Sequence, residues 1–299
     1  MRSRFLFLFF VFAISTTTNA QQKKAKNDLL FSRDNLIAWC TIPYDSKKRN
    51  SEERAAMLKE LGFRSFAYDW RNNDLPMMET ELSTMKKYGI KVNAAWLFVN
   101  EVPGKILDDA DETVLQTLKK TNTKLEIWVS FPNSFFDKLT DDEKIAKGAK
   151  MITYLHQRAS EMGCTLALYN HDDWFGEPAN EVKIIEASGL KDIHIVYNFH
   201  HGHKQMDEFE NILAITKPYL STVNINGMKA EGPQILPVGS GDRESGLLKT
   251  LKASGYSGAI GIIGHTENED VKIVLERNIE GLKKILAGMG DQKALATYK

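Results

Sequence analysis

Leu166-Ala-Leu-Tyr-Asn-His171 and Ile193-His-Ile-Val-Tyr-Asn-Phe-His-His-Gly-His203 decide how the chain is read. Each is an apolar run of strand length that breaks off in Asn and His. Four of the seven histidines, His171, His200, His201 and His203, lie at these two ends, and His194 opens the second run. Strands whose ends turn polar at one edge are what a parallel α/β barrel presents at its catalytic mouth.

Outward from these stretches the same unit repeats. Residues 125–130, 220–226 and 258–263 are apolar strands of the same kind, and residues 35–42, 63–70 and 90–98 complete the set. Helical spacing fills the intervals at 51–61, 77–88, 111–120, 140–162, 179–188, 206–217, 246–254 and 271–286. Ser51-Glu-Glu-Arg54 is close to a capping box and Gly62 stops that helix, while Thr140-Asp-Asp-Glu143 is a full box. Eight strand–helix alternations predict a (β/α)8 TIM barrel as a single domain over residues 35–290. An open doubly wound sheet is the alternative, and near-equal units without an inserted domain favour closure. Residues 21–34 and 291–299 are read as N- and C-terminal tails.

Residues 1–20 have the layout of a cleaved secretory signal: basic Met1-Arg-Ser-Arg4, an apolar Phe5–Ile14, and small residues up to Ala20. An exported protein, periplasmic or extracellular, is expected. The chain carries 39 basic and 39 acidic residues, and losing Arg2 and Arg4 with the leader leaves a slight acidic excess. With no basic block, nucleic-acid binding is not expected, and no later segment has the length of a membrane span. Nothing in the sequence sets the oligomeric state. Cys40 and Cys164 fall in apolar segments of different strands and read as buried free thiols rather than a disulfide.

In a barrel the chemistry sits at the C-terminal ends of the strands. Those ends carry Trp39, Asp69, Trp70, Arg71, Trp96 and Trp128 in the first half. The second half supplies Tyr169, Asn170, His171, Asn198, His200, His201, Asn224, Asn226 and His265, with Trp174 in the loop after the fifth strand. Aromatic faces beside Asn, His and Asp suit a polyhydroxylated ring with apolar C–H faces, so a small carbohydrate is the expected partner. Asp69, Trp70, Trp96, Trp128, Tyr169, Asn170, Trp174, Asn224 and Asn226 are the expected binding residues. Trp39, Trp96 and Trp128 have barrel packing as their plain alternative, and Asp69 an ion pair with Arg71. His156 and His194 read as surface or edge residues.

The chain resembles the xylose-isomerase-like barrel superfamily of sugar isomerases and epimerases, with its endonuclease relatives. Leu166-Ala-Leu-Tyr-Asn-His171 is similar to that family's strand ending Glu-Asn-His, and Asn198-Phe-His-His201 to its Asp-x-x-His. Leu236-Pro-Val-Gly-Ser-Gly-Asp242 is similar to its Pro-x-Gly-x-Gly loop. The resemblance spans nearly all of the chain after the leader and points to a divergent exported bacterial branch.

It also exposes a departure. Metal-dependent members hold a divalent ion through Glu, Asp, His and Glu. Here Tyr169 stands at the first position, Asn198 at the second, Asn224 or Asn226 at the third, and Gly264-His265 at the fourth. Neutral groups do not supply the charge that a hard cation needs. Two mechanisms stay open. His171, His201 (or His200) and His265 could hold zinc, nickel or cobalt, to which imidazole is suited. Alternatively His171, His200, His201 and His265, with Asn198, act as acid, base and donors without a metal, moving a proton next to a sugar carbonyl. Isomerisation, epimerisation and elimination share that step. The reading from another class is a carbohydrate-binding barrel that lost catalysis with its metal site. Phosphodiester cleavage would need a metal cluster and a basic groove, and the sequence shows neither.

Overall fold

The computed structural model describes residues 26–171 and 173–299. The expected signal segment lies outside these residues. Eight parallel strands close on themselves in chain order: β1 Leu36–Trp39, β2 Ser65–Tyr68, β3 Lys91–Phe98, β4 Glu126–Ser130, β5 Thr165–Tyr169, β6 Ile193–Asn198, β7 Leu220–Ile225 and β8 Ala259–Ile263. Closure is made by β8 returning to β1, with Leu36 opposite Ile260 and Trp39 opposite Ile263. The outer ring is α1 Ser51–Glu60, α2 Met78–Lys87, α3 Asp109–Thr121, α4 Asp141–Glu161, α5 Pro178–Ser188, α6 Phe209–Thr216, α7 Glu244–Ala253 and α8 Val271–Met289. This is the expected single (β/α)8 barrel. Among the described residues no helix is long and apolar enough to cross a membrane.

Local chemistry sets the helix ends. Thr140 and Glu143 cap α4 reciprocally, as expected. The cap of α1 lies one residue before the expected Ser51: Asn50 Oδ1 accepts from the Glu53 N–H, and Glu53 returns a bond to the Asn50 N–H. Asn, a strong cap, outcompetes the Ser that follows it. Gly163 leaves α4 at φ +71°, which costs a residue without Cβ nothing.

Alternation along each strand sorts the core into two layers. Leu36, Ala38, Phe66, Tyr68, Ile127, Val129, Leu166 and Leu168 face the helices. Ile37, Trp39, Ala67, Ala94, Trp128, Ala167, Tyr169, Val196 and Ile263 fill the barrel. Three alanines leave room for two indoles: Trp39 meets Trp128 edge-on at 4.9 Å, and Tyr169 stacks on Trp128 at 6.2 Å. Truncating a fully buried Trp such as Trp128 to Ala would cost roughly 3–5 kcal/mol.

Below this layer, at the N-terminal end of the strands, Glu126 gathers three donors. Its Oε1 lies 2.8 Å from His194 Nδ1, and Oε2 accepts from Trp128 Nε1 at 2.9 Å and Ser221 Oγ at 2.7 Å. The described part of the expected N-terminal tail and the C-terminal one are not loose. Leu30 and Phe31 are fully buried, Asn27 Nδ2 donates to the carbonyls of Lys252 and Tyr256, and Tyr298 Oη donates to Phe31 O at 2.6 Å. Apolar residues in an otherwise polar stretch dock it beneath the barrel, and a short helix, Gln292–Leu295, carries Tyr298 there.

Candidate active site

At the other end the barrel opens into a cavity of about 90 Å³. β1 supplies its first wall through a backbone irregularity. Cys40 sits at φ +55°, a region rarely taken by residues other than glycine, Asn and Asp. The turn that follows aims two successive N–H groups, of Thr41 and Ile42, at Asp69 Oδ1, at 3.2 and 3.4 Å. Asp69 extends β2 and is 2 % exposed, and its Oδ2 has no hydrogen-bond partner among the described residues. Burial pushes its carboxyl up to about 7, more than Arg71 and the two amides pull it down. A buried carboxyl poised near neutrality beside a cavity is the profile of a proton carrier.

Histidines form much of the remaining wall. His171 follows β5, His200 and His201 follow β6, and His265 follows β8. All four line the cavity. The rings of His200 and His201 are 3.8 Å apart, those of His171 and His201 4.6 Å, and those of His200 and His265 6.0 Å. His200 is 7 % exposed with Nδ1 unpartnered, and burial, reinforced by the neighbouring imidazoles, holds its pKa well below the ordinary value. Burial likewise lowers His265, which stacks on Tyr44 at 3.7 Å. Trp39, Trp96 and Tyr169 complete the lining.

Seven of the expected site residues therefore meet in one cavity: Asp69, Trp96, Tyr169, His171, His200, His201 and His265. The others take supporting positions. Asn198 lies below, fully buried, its Nδ2 donating to Tyr169 Oη. There it holds the hydroxyl of Tyr169. Trp128 is one layer deeper, and Asn224 is buried against β8, its amide without a partner in the described residues. Asn170 braces β5 to β6, with Oδ1 accepting the Asn198 N–H and Nδ2 donating to Asn198 O. Asn226 ties down the next loop through Gly227 O and Gln234 O. Trp70 packs among the helices and donates to Trp96 O, and Trp174 packs on Phe136 under Lys144. The Asp69–Arg71 ion pair is not formed: the guanidinium donates to Trp70 O and Tyr44 Oη, each at 2.9 Å.

Cys40, Tyr44 and Arg71 also line the cavity and were not among the expected site residues. Arg71 was legible as a charged residue one step past a strand end. Tyr44 enters only through the turn at Cys40, which no residue type announces. The Cys40 thiol is buried and raised well above its usual range, chiefly by desolvation, and Cys164 is a second buried free thiol.

Tyr169 and Asn198, at the positions for which the resemblance implied two acids, are neutral and bonded to each other. Among the described residues no three His, Cys, Asp or Glu side chains are grouped to hold a metal ion. What the cavity does hold is a carboxyl, four imidazoles and aromatic faces, a set suited to moving protons on a polar ring.

Solved structures of low sequence identity share the fold. A 3-keto-D-glucoside 4-epimerase from E. coli, in its apo form, superposes with a TM-score of 0.63 at 18 % identity, over 85 % of this chain and 99 % of that one. The IOLI protein with a bound zinc atom gives 0.62 at 15 %, over 88 % and 99 %. A D-psicose 3-epimerase from Clostridium cellulolyticum H10, with D-tagatose, gives 0.61 at 12 %, over 87 % and 98 %. No curated protein is significantly similar to the chain in sequence. The family model that matches, over residues 55–285, is the xylose isomerase-like TIM barrel, and the chain belongs to that family.

Proposed function

We propose that the protein is a carbohydrate epimerase- or isomerase-like enzyme that removes and returns a proton next to a sugar carbonyl. One observation carries this reading: Asp69 at the end of β2 faces the imidazoles that follow β6 across a single cavity. In an eight-strand barrel closed in chain order, β2 and β6 lie diametrically opposed. A sugar between them has an acid–base group on each face, the arrangement that inversion of a carbon requires. Asp69 Oδ2 takes the proton, and the electron pair moves onto the carbonyl oxygen. Tyr169 Oη and an imidazole N–H stabilise that oxyanion. His201 or His200 then delivers a proton to the opposite face, giving the epimer. Delivery to the adjacent carbon gives the isomer, and loss of a β-substituent gives elimination. Trp39 and Trp96 supply apolar faces for the ring. The 3-keto-D-glucoside and D-psicose epimerases among the structural neighbours support this substrate class.

Incubation with keto-sugars in deuterated water tests it. Deuterium should enter the carbon beside the carbonyl; Asp69→Asn should abolish this exchange, and His201→Ala should abolish formation of the epimer. Full exchange in Asp69→Asn, or undiminished epimer formation in His201→Ala, would sink the assignment.

A metal-assisted version places zinc, nickel or cobalt on His171, His201 and His265. The neighbour with bound zinc supports it, and the lack of a three-ligand group in the described residues opposes it. Elemental analysis before any chelator treatment separates the two, about one equivalent of metal favouring the second. The reading from another class, a carbohydrate-binding barrel without turnover, draws on the cavity itself: at about 90 Å³ it is smaller than the roughly 300 Å³ at which ordinary ligand sites begin. Saturable binding with no exchange would establish it. The reading also includes export after cleavage at Ala20, so the secreted protein's N-terminal sequence should begin at Gln21.

A further inference from the structure

We propose that the sugar taken by this site carries a carboxylate, held by Arg71 at the mouth. The inference rests on the carbohydrate reading above and narrows it to acid sugars. Among the described residues, Arg49, Arg54, Arg64, Arg158, Arg243 and Arg277 each lie within 4 Å of a carboxylate. Arg71 does not. Its Nη1 and Nη2 are pinned by Trp70 O and Tyr44 Oη, and the guanidinium lies over the rings of Tyr44 at 5.5 Å and Trp96 at 5.7 Å. Two neutral acceptors and two aromatic faces fix the plane without cancelling the charge. The remaining N–H groups are left for a ligand, and a guanidinium of fixed plane matches a carboxylate in bidentate fashion.

The rest of the cavity agrees. Among the described residues Asp69 is the single carboxylate in the lining, and Oδ1 is committed to the Thr41 and Ile42 amides. Tyr169 in the lining and Asn198 beneath it are neutral and hydrogen-bonded to each other, so neither adds a negative charge that would repel an anion. A phosphate monoester bears nearly two charges, and the cavity offers one guanidinium, so a carboxylate is the better match.

Titration calorimetry on the purified protein at low salt decides the matter with D-glucuronate against D-glucose and D-galacturonate against D-galactose. The uronates should bind about ten-fold or more tightly than their parent hexoses. Arg71→Gln should abolish the preference of uronate over hexose, with Arg71→Lys in between. Equal binding of uronate and hexose, or a uronate preference that survives in Arg71→Gln, overturns the inference while sparing the carbohydrate site. Tighter binding of glucose 6-phosphate than of glucuronate overturns the choice of anion. Failure of every sugar to bind overturns both this inference and the reading on which it rests.

Discussion

The two ends of the barrel treat buried polar groups in opposite ways. At the floor, both oxygens of Glu126 are engaged, by the His194, Trp128 and Ser221 donors. At the mouth, Asp69 Oδ2 and His200 Nδ1 are buried and without partners in the described residues. An unpaired buried polar group costs about 1–3 kcal/mol, so the mouth is destabilised where the floor is knitted together. A fold keeps such groups where their bonding capacity is used by something else, and at the mouth of a parallel barrel that something is a ligand.

This contrast yields predictions of opposite sign. The largest effect belongs to Asp69→Asn: keto-sugar exchange should fall about 10²–10⁴-fold, the usual yield of a positioned acid–base group, while the protein becomes more stable at alkaline pH. The direction follows from linkage. Asp69 has a folded pKa raised to about 7 from 3.8, so between these values the folded state holds a proton that the unfolded state has released. Stability therefore falls as pH rises from about 4 to 7, and the deficit is complete above 7. The Asn variant lacks it, so the gap in Tm between variant and wild type should widen from pH 5 to pH 8. A variant less stable than wild type at pH 8 would break the contrast.

Next comes Glu126→Ala, which strands three donors around an empty site. It should cost about 3 kcal/mol in urea unfolding and leave exchange at the mouth intact well below the midpoint. The smallest effect is expected of His194→Gln. Its hydrogen bond to Glu126 raises the imidazole pKa above 6.5, so its contribution is full below 6.5 and is lost as pH rises through the higher folded value. With the side chain 40 % exposed, solvent screening limits that contribution to under about 1 kcal/mol. Unfolding curves of wild type and variant should differ at pH 5.5 and coincide at pH 9.

Much of this was legible in the sequence. Eight alternations announced the barrel, and polar strand ends announced the mouth, because period-2 burial and C-terminal chemistry are both written in residue type. Parity also separates the lining from its supports. Tyr169 and His171 share the inward face, which puts Asn170 on the other side, where it braces two strands. The same alternation turns Trp70 outward beside inward Asp69. What stayed hidden depends on backbone geometry and long-range contact. Cys40 carries no mark of its positive φ, yet that turn brings in Tyr44 and orients Asp69. Asn198 was placed on the inward face, but its bond to Tyr169 depends on its depth along the strand, which residue type does not give. The docked termini were missed because Leu30 and Phe31 are too short a run to stand out from their polar surroundings.

Gly261 on β8 has a consequence for how the site can change over generations. A Cβ at this position would fall on Asn224 Oδ1 of β7. The two positions therefore form one inherited unit: Gly261→Ala alone should be deleterious, and tolerable once residue 224 has shrunk to Ser or Gly. In related sequences the pair should change together, large beside glycine or small beside alanine, and a lineage that exchanges them reshapes the base of the cavity in a single correlated step.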